Sequence, residues 1–169
     1  MSHPFDQSRP LPSSGHLPPH AGEGSDTALP AKLHLRLLAG LYDLLPLLGL
    51  WFAAGLLALA LTGGALDPHR LTHKLLVQAL VLTLTAAYFA LSWTRGGQTI
   101  GMRAWRLRVV AEDGSRLSTP RALLRFLVAL VSLAALGGGF WWALIDQHRR
   151  TWHDIAATTL MVRMESTDR

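Results

Sequence analysis

The chain has 169 residues, 50% of them hydrophobic, no cysteine and a formal net charge of +5. The missing cysteine excludes disulfides and thiolate metal sites. The apolar residues gather in blocks instead of recurring at periods of 2 or 3.6, which points to lipid and away from an aqueous core. The positive charge is mostly arginine beside those blocks, so the expected partner is a bilayer with anionic headgroups; no recognition motif accompanies it, and nucleic acid is not expected.

Residues 1–32 are rich in Pro, Ser, Gly and His, with few branched or aromatic residues, and are predicted to be a disordered tail. His3, His16 and His20 have no compact ligand spacing, so no metal site is expected among them. The tail has no short apolar core of its own, and the run that follows is longer than a cleavable signal core, so it reads as a retained anchor.

That run is the first predicted span, about residues 37–62. Between Leu37 and Leu66 the only charged residue is Asp43. A carboxylate inside a membrane helix costs roughly 2.5 to 3.5 kcal/mol on insertion scales and persists where something pairs with it. Arg36 lies seven residues earlier on the same helical face, with Ala39 and Gly40 between. At ~10.5 Å along the axis, and with the arginine leaning away, a direct bond within the helix is not expected, so the partner of Asp43 should come from another segment. Pro46 has no N–H for the carbonyl of Tyr42, which either exposes that oxygen to a ligand beside Asp43 or merely kinks the helix.

Gly63, Gly64, Asp67 and Pro68 mark a turn, and His69 and His73 after it read as a helix start, not a metal site. A second span is predicted at about 75–94, closed by Trp93, with Gln78, Leu82 and Thr85 on one face toward the first span. The connection from Arg95 to Arg125 is strongly basic and is expected in the cytoplasm by the positive-inside rule, with the N-terminus on the same side. Within it, Trp105 to Ala111 alternates like a strand and Glu112-Asp113-Gly114 reads as a turn, predicting a short two-stranded element at the membrane surface. Ser118 or Thr119 as N-cap and Pro120 in the first turn open the next helix.

The third predicted span covers about 123–145, interrupted by Gly137-Gly138-Gly139, and residues 164–169 form a polar tail. The sequence thus predicts an all-α membrane protein with about three transmembrane helices and a short interfacial β element between the second and third. Three full spans would place Asp154 across the membrane from Arg36. A re-entrant break at the glycines would return it, but two short half-helices would not reach far into a ~30 Å core, and three spans are favoured on that ground. Arg125, one turn inside the third span, is expected to pair with Asp43.

These residues together resemble the RDD family of bacterial membrane proteins, named for one arginine and two aspartates. Arg36 and Asp43 match its first two letters, and Asp154 in Trp152-His153-Asp154, followed by Thr158 or Thr159 and Val162, matches the third. Gly97-Gln98-Thr99-Ile100-Gly101 and Leu107 to Gly114 are similar to its connecting segment, with Met102 where a lysine is usual. The resemblance covers roughly residues 33–163 and implies a multi-pass protein of the bacterial inner membrane, with Arg36, Asp43 and Asp154 as signature and possible ligand site. Tyr42, Pro46, Gln78, Arg125 and His153 are candidates for a supporting role.

Two functions follow as expectations. One is transport of an unidentified small ligand, or exchange of cations for protons at Asp43, in a homo-oligomer because three spans are few for a path. The other is a non-transporting scaffold or assembly subunit whose Arg and Asp residues fix helix packing. No nucleophile and base, metal cluster or cofactor motif can be assembled, so neither an enzyme nor a cofactor is expected. The discriminating feature is whether Asp43 keeps free carboxylate oxygens or is fully paired between helices.

Overall fold

The structure, a computed structural model, describes residues 28–147 and 149–164. Two long helices dominate: α1 spans Leu33–Leu61 and α2 spans Leu71–Gly96, and both are long and apolar enough to cross a membrane. On α1 the buried side chains Leu35, Ala39, Asp43, Leu47, Ala54 and Ala58 recur at spacings of four and seven residues along one stripe. Leu41, Leu45, Leu48 and Phe52 on the other faces are exposed. An apolar exterior around a small-residue seam is what a helix needs when its outer solvent is lipid.

α2 ends at Gly97, whose left-handed φ of 67° stops the helix. A short helix α3, Ile100–Ala104, follows, capped by the Thr99 side chain, and then strand β2, Leu107–Ala111. The strand alternation is as the sequence predicts, with Leu107, Val109 and Ala111 buried and Arg108 exposed. Its partner is not a neighbouring hairpin strand. It pairs antiparallel with β3, Thr159–Met164, and β3 also pairs with β1, Ala28–Pro30, giving a three-stranded sheet in the order β1-β3-β2.

Two boundaries change as a result. Residues 28–30, assigned to the tail, form an edge strand, and Met164, assigned to the polar terminus, closes β3. The remainder of both tails, including His3, His16 and His20, lies outside the described residues. A compact core of Leu35, Trp93, Met102, Leu107, Val109 and Phe126 joins the sheet to the helix ends. Met102 contributes buried thioether surface to it.

Helix α4, Thr119–Ala134, begins where the Ser118 cap and Pro120 predict. The third apolar run does not continue as one straight span. Leu136 and Gly137 take left-handed φ of 54° and 76°, and the chain turns by 106° into α5, Gly138–Trp141, and a 3₁₀ turn, Trp142–Leu144. Gly137 tolerates that backbone because it has no Cβ. Gly139 is needed for contact, since a Cβ there would meet the Ser132 Oγ at 2.3 Å. The chain then returns to α6, Trp152–Ala156, which packs on α4, with Gly139 against Trp152 and Phe140 edge-on to His153 at 5.1 Å.

This overturns the favoured straight third span and the separation of Asp154 from Arg36. The length argument took both half-helices as too short to reach far into the core. Instead the break lies at the end of α4, whose 16 residues measure ~24 Å, so the two pieces are unequal.

Candidate functional site: a buried charge cluster beside an apolar cavity

Asp154 sits third in α6, where it completes a capping box: its Oδ2 accepts the Thr151 N–H at 3.1 Å and the Thr151 hydroxyl at 2.8 Å. The same carboxylate binds two arginines. Arg36 Nη1 donates to Oδ2 at 2.5 Å, and Arg125 Nη1 donates to Oδ1. Arg36 also donates from Nε to the Ala31 carbonyl, and Arg125 Nη1 to the Thr159 hydroxyl at 2.5 Å. One acid therefore ties α1, α4 and α6 to the sheet, with Asp154 fully buried and Arg125 1% exposed. Buried ions of this kind persist only where pairing and hydrogen bonds offset their desolvation.

Burial raises the Asp154 carboxyl, but the guanidiniums of Arg125 and Arg36 outweigh it and hold the group well below the usual carboxylate range. Beside it, burial first and the Arg125 charge second push the His153 imidazole down to about 3. Below a pH of about 6.5 the unfolded chain takes up a proton at His153 that the folded chain refuses, so this residue lowers stability as pH falls toward 3. Thermal unfolding in detergent at about pH 7 and about pH 4.5 should show a smaller acid loss in His153→Phe than in wild type. Equal losses would place His153 in contact with water.

Asp43 does not pair with Arg125, against the sequence expectation; Arg125 is taken by Asp154. As expected, though, its partners come from other segments. Asp43 Oδ1 accepts the Tyr88 hydroxyl at 2.7 Å and the Gly101 N–H at 2.8 Å, and Oδ2 accepts the Thr99 hydroxyl at 2.5 Å. Thr99 Oγ1 in turn accepts the Met102 N–H, so one hydroxyl caps α3 and holds Asp43. Gly101 fits because a Cβ there would lie 2.0 Å from the Ala39 carbonyl oxygen. Gly101 is thus a point of close contact between α3 and α1.

The remaining candidates scatter. Tyr42 is half exposed and packs edge-on to Trp105 at 6.0 Å, while Tyr88, not singled out in sequence, reaches Asp43. Pro46 sits inside α1, which continues through it to Leu61. Gln78 is exposed and far from the cluster, in a groove with His73 and Asp67, although Thr85 on the same predicted face does meet α1 by accepting the Trp51 Nε1–H at 2.9 Å. His73 Nδ1 accepts the Asp67 N–H, the helix-start arrangement its spacing implies.

Between α1, α2 and α4 lies a cavity of about 360 Å³. Leu47, Phe89, Phe126, Ala129 and Leu130 line it, together with Arg36, Asp43, Arg125 and His153. Arg125 also lies over the Trp93 ring, 5.2 Å from its centroid.

Long apolar helices around a seam of small residues, closed at one end by buried charges and a sheet, define a helical membrane protein. The chain matches the RDD family over residues 30–158, and it belongs to that family. No curated protein and no solved structure matches it.

Proposed function

We propose that this protein is a non-transporting component of the bacterial inner membrane whose arginine and aspartates fix helix packing. The observation that carries this reading is Asp43, both of whose oxygens already accept protein donors. A cation binding there would displace two hydroxyls and a backbone N–H, and would meet Arg36 and Arg125 lining the same cavity. Cation-for-proton exchange is therefore the weaker reading. No catalytic step and no cofactor belong to the proposal, and an oligomer is not required by it.

The basic connection and the sheet lie on the cytoplasmic side in this reading, with α1 and α2 crossing and the α4–α5 pair entering and returning. Arg149 and Arg150 then share the side of the other arginines, as the positive-inside rule favours. Supporting this, Arg150 Nη1 donates to Glu112, in the turn after β2, at 3.3 Å.

Proteoliposomes containing wild type or Asp43→Asn at equal insertion test the proposal, with proton movement followed on adding Na⁺, K⁺ or Li⁺. Wild type is expected to move no more protons than protein-free liposomes, while Asp43→Asn unfolds at lower temperature. Proton movement in wild type that Asp43→Asn abolishes would replace the packing reading with exchange.

A further inference from the structure

The cavity beside the charge cluster is built to take something. It is long and narrow: its lining runs along α1 from Arg36 to Trp51, ~22 Å by helical rise, within about 360 Å³. Across from α1, the α4 residues Arg125, Phe126, Ala129, Leu130 and Leu133 fall on one helical face. Arg36, Arg125, Trp93 and His153 stand toward one end, Asp43 lies at mid-length with both oxygens already bonded, Thr85 and Trp51 bond each other at the far end, and the rest is hydrocarbon and aromatic ring. Such a shape suits one acyl chain with a small head.

The head end carries unmet hydrogen-bonding groups. Among the described residues Arg125 Nε, Trp93 Nε1 and His153 Nδ1 are buried without a partner, and all three side chains line this cavity. Each belongs to a residue at least nine-tenths buried. Because the Thr151 hydroxyl donates to Asp154, it must receive the His153 Nε2–H, and Nδ1 is left a bare acceptor. The unmet set is thus two N–H donors and one ring-nitrogen acceptor. A hydroxyl group, with one donor and two acceptor lone pairs, is its complement.

Charge agrees with a neutral head. Arg36 and Arg125 are matched formally by Asp43 and Asp154, so an added carboxylate or ammonium would bring an uncompensated charge into an apolar cavity. Entry is also visible. A more open groove of about 450 Å³ shares Arg36, Gly40, Leu44, Leu133 and Phe140 with the cavity, so the two adjoin between α1 and the α4–α5 bend. Gly40 stands at that mouth, with nothing within 4 Å of where its Cβ would be.

We infer that the cavity is a binding site for a neutral, hydroxyl-headed, single-chain amphiphile taken from the bilayer. The hydroxyl occupies the Arg125–Trp93–His153 end and the chain lies along α1 toward Trp51.

Radiolabelled oleyl alcohol, oleate and oleylamine share one chain and differ in head charge, so their retention by the purified full-length protein in detergent tests the inference. Saturable binding of about one oleyl alcohol per chain is expected, about ten-fold tighter than either charged analogue. Gly40→Leu should weaken it at least as much while unfolding at an unchanged or higher temperature, because leucine closes the mouth and favours helix. Should Gly40→Leu unfold, Ala129→Phe fills the same cavity from α4. Oleate or oleylamine bound as tightly as the alcohol, non-saturable uptake of all three, or full binding in the folded cavity-filling variant would overturn it.

Discussion

Asp154→Asn is expected to be the most damaging single substitution in the described chain. It keeps the size of the side chain and removes the one negative charge that both Arg36 and Arg125 contact. Breaking a buried ion pair by removing one partner costs about 3–5 kcal/mol, because the other partner stays buried and uncompensated. Here two guanidiniums are stranded, and the amide cannot accept at both ends. The capping box of α6 weakens as well, since the asparagine NH₂ cannot accept from Thr151. Unfolding in detergent should fall by on the order of 10 °C. Replacing the cluster together, Arg36→Met, Arg125→Met and Asp154→Leu, should recover most of that loss, since a buried ionic triad exchanged for apolar residues of similar volume is often neutral. A single Asp154→Asn variant as stable as wild type would show that the cluster is hydrated.

Gly101→Ala is the second large effect. A methyl there would stand 2.0 Å from the Ala39 carbonyl oxygen and 2.9 Å from its carbon, both backbone atoms that cannot swing aside. Relief requires α3 to lift from α1, which pulls the Gly101 N–H and the Thr99 hydroxyl off Asp43. Overpacking of 1–3 kcal/mol and about 1 kcal/mol or more for each lost bond to a charge add up to a severe defect. Gly40→Ala, the next residue along α1 but facing open space, is the control and should gain up to about 1 kcal/mol of helix preference. Thermal unfolding of the pair checks the contrast: similar stability for both would mean that α3 does not touch α1.

Much of this architecture was readable from apolar run length and from Gly, Pro and cap residues. The runs around Asp43 and before Trp93 became α1 and α2, and Ser118-Thr119-Pro120 opened α4. Arg36 and Asp154 were recognisable as signature residues, but their contact was not, because it depends on a long-range return of the chain after Gly137. Local sequence marks the glycines there without giving the angle. The Asp43–Arg125 pair failed for a related reason: matching charges at similar depth does not weigh a third acid arriving from α6. The hydroxyls of Tyr88 and Thr99 escaped notice because neutral donors leave no charge pattern. Strands β3 and β1 pair over long sequence separations that no local pattern announces, and the three residues of β1, ending in a proline, are too few to show alternation.

The return of the third apolar run is the claim on which the cluster, the sheet and the proposed topology all depend. The chain has no cysteine, so single substitutions Ala65→Cys, Ser115→Cys and Arg163→Cys can each be labelled with a membrane-impermeant thiol reagent in right-side-out and everted vesicles. Ser115 and Arg163 are both exposed on the sheet end of the molecule, and Ala65 is exposed in the turn between α1 and α2. Labelling of Ser115→Cys and Arg163→Cys only in everted vesicles, and of Ala65→Cys only in right-side-out ones, is the expected result. Ser115→Cys and Arg163→Cys labelled from opposite sides would mean that the run crosses once, that β3 cannot pair with β2, and that Asp154 never meets Arg36.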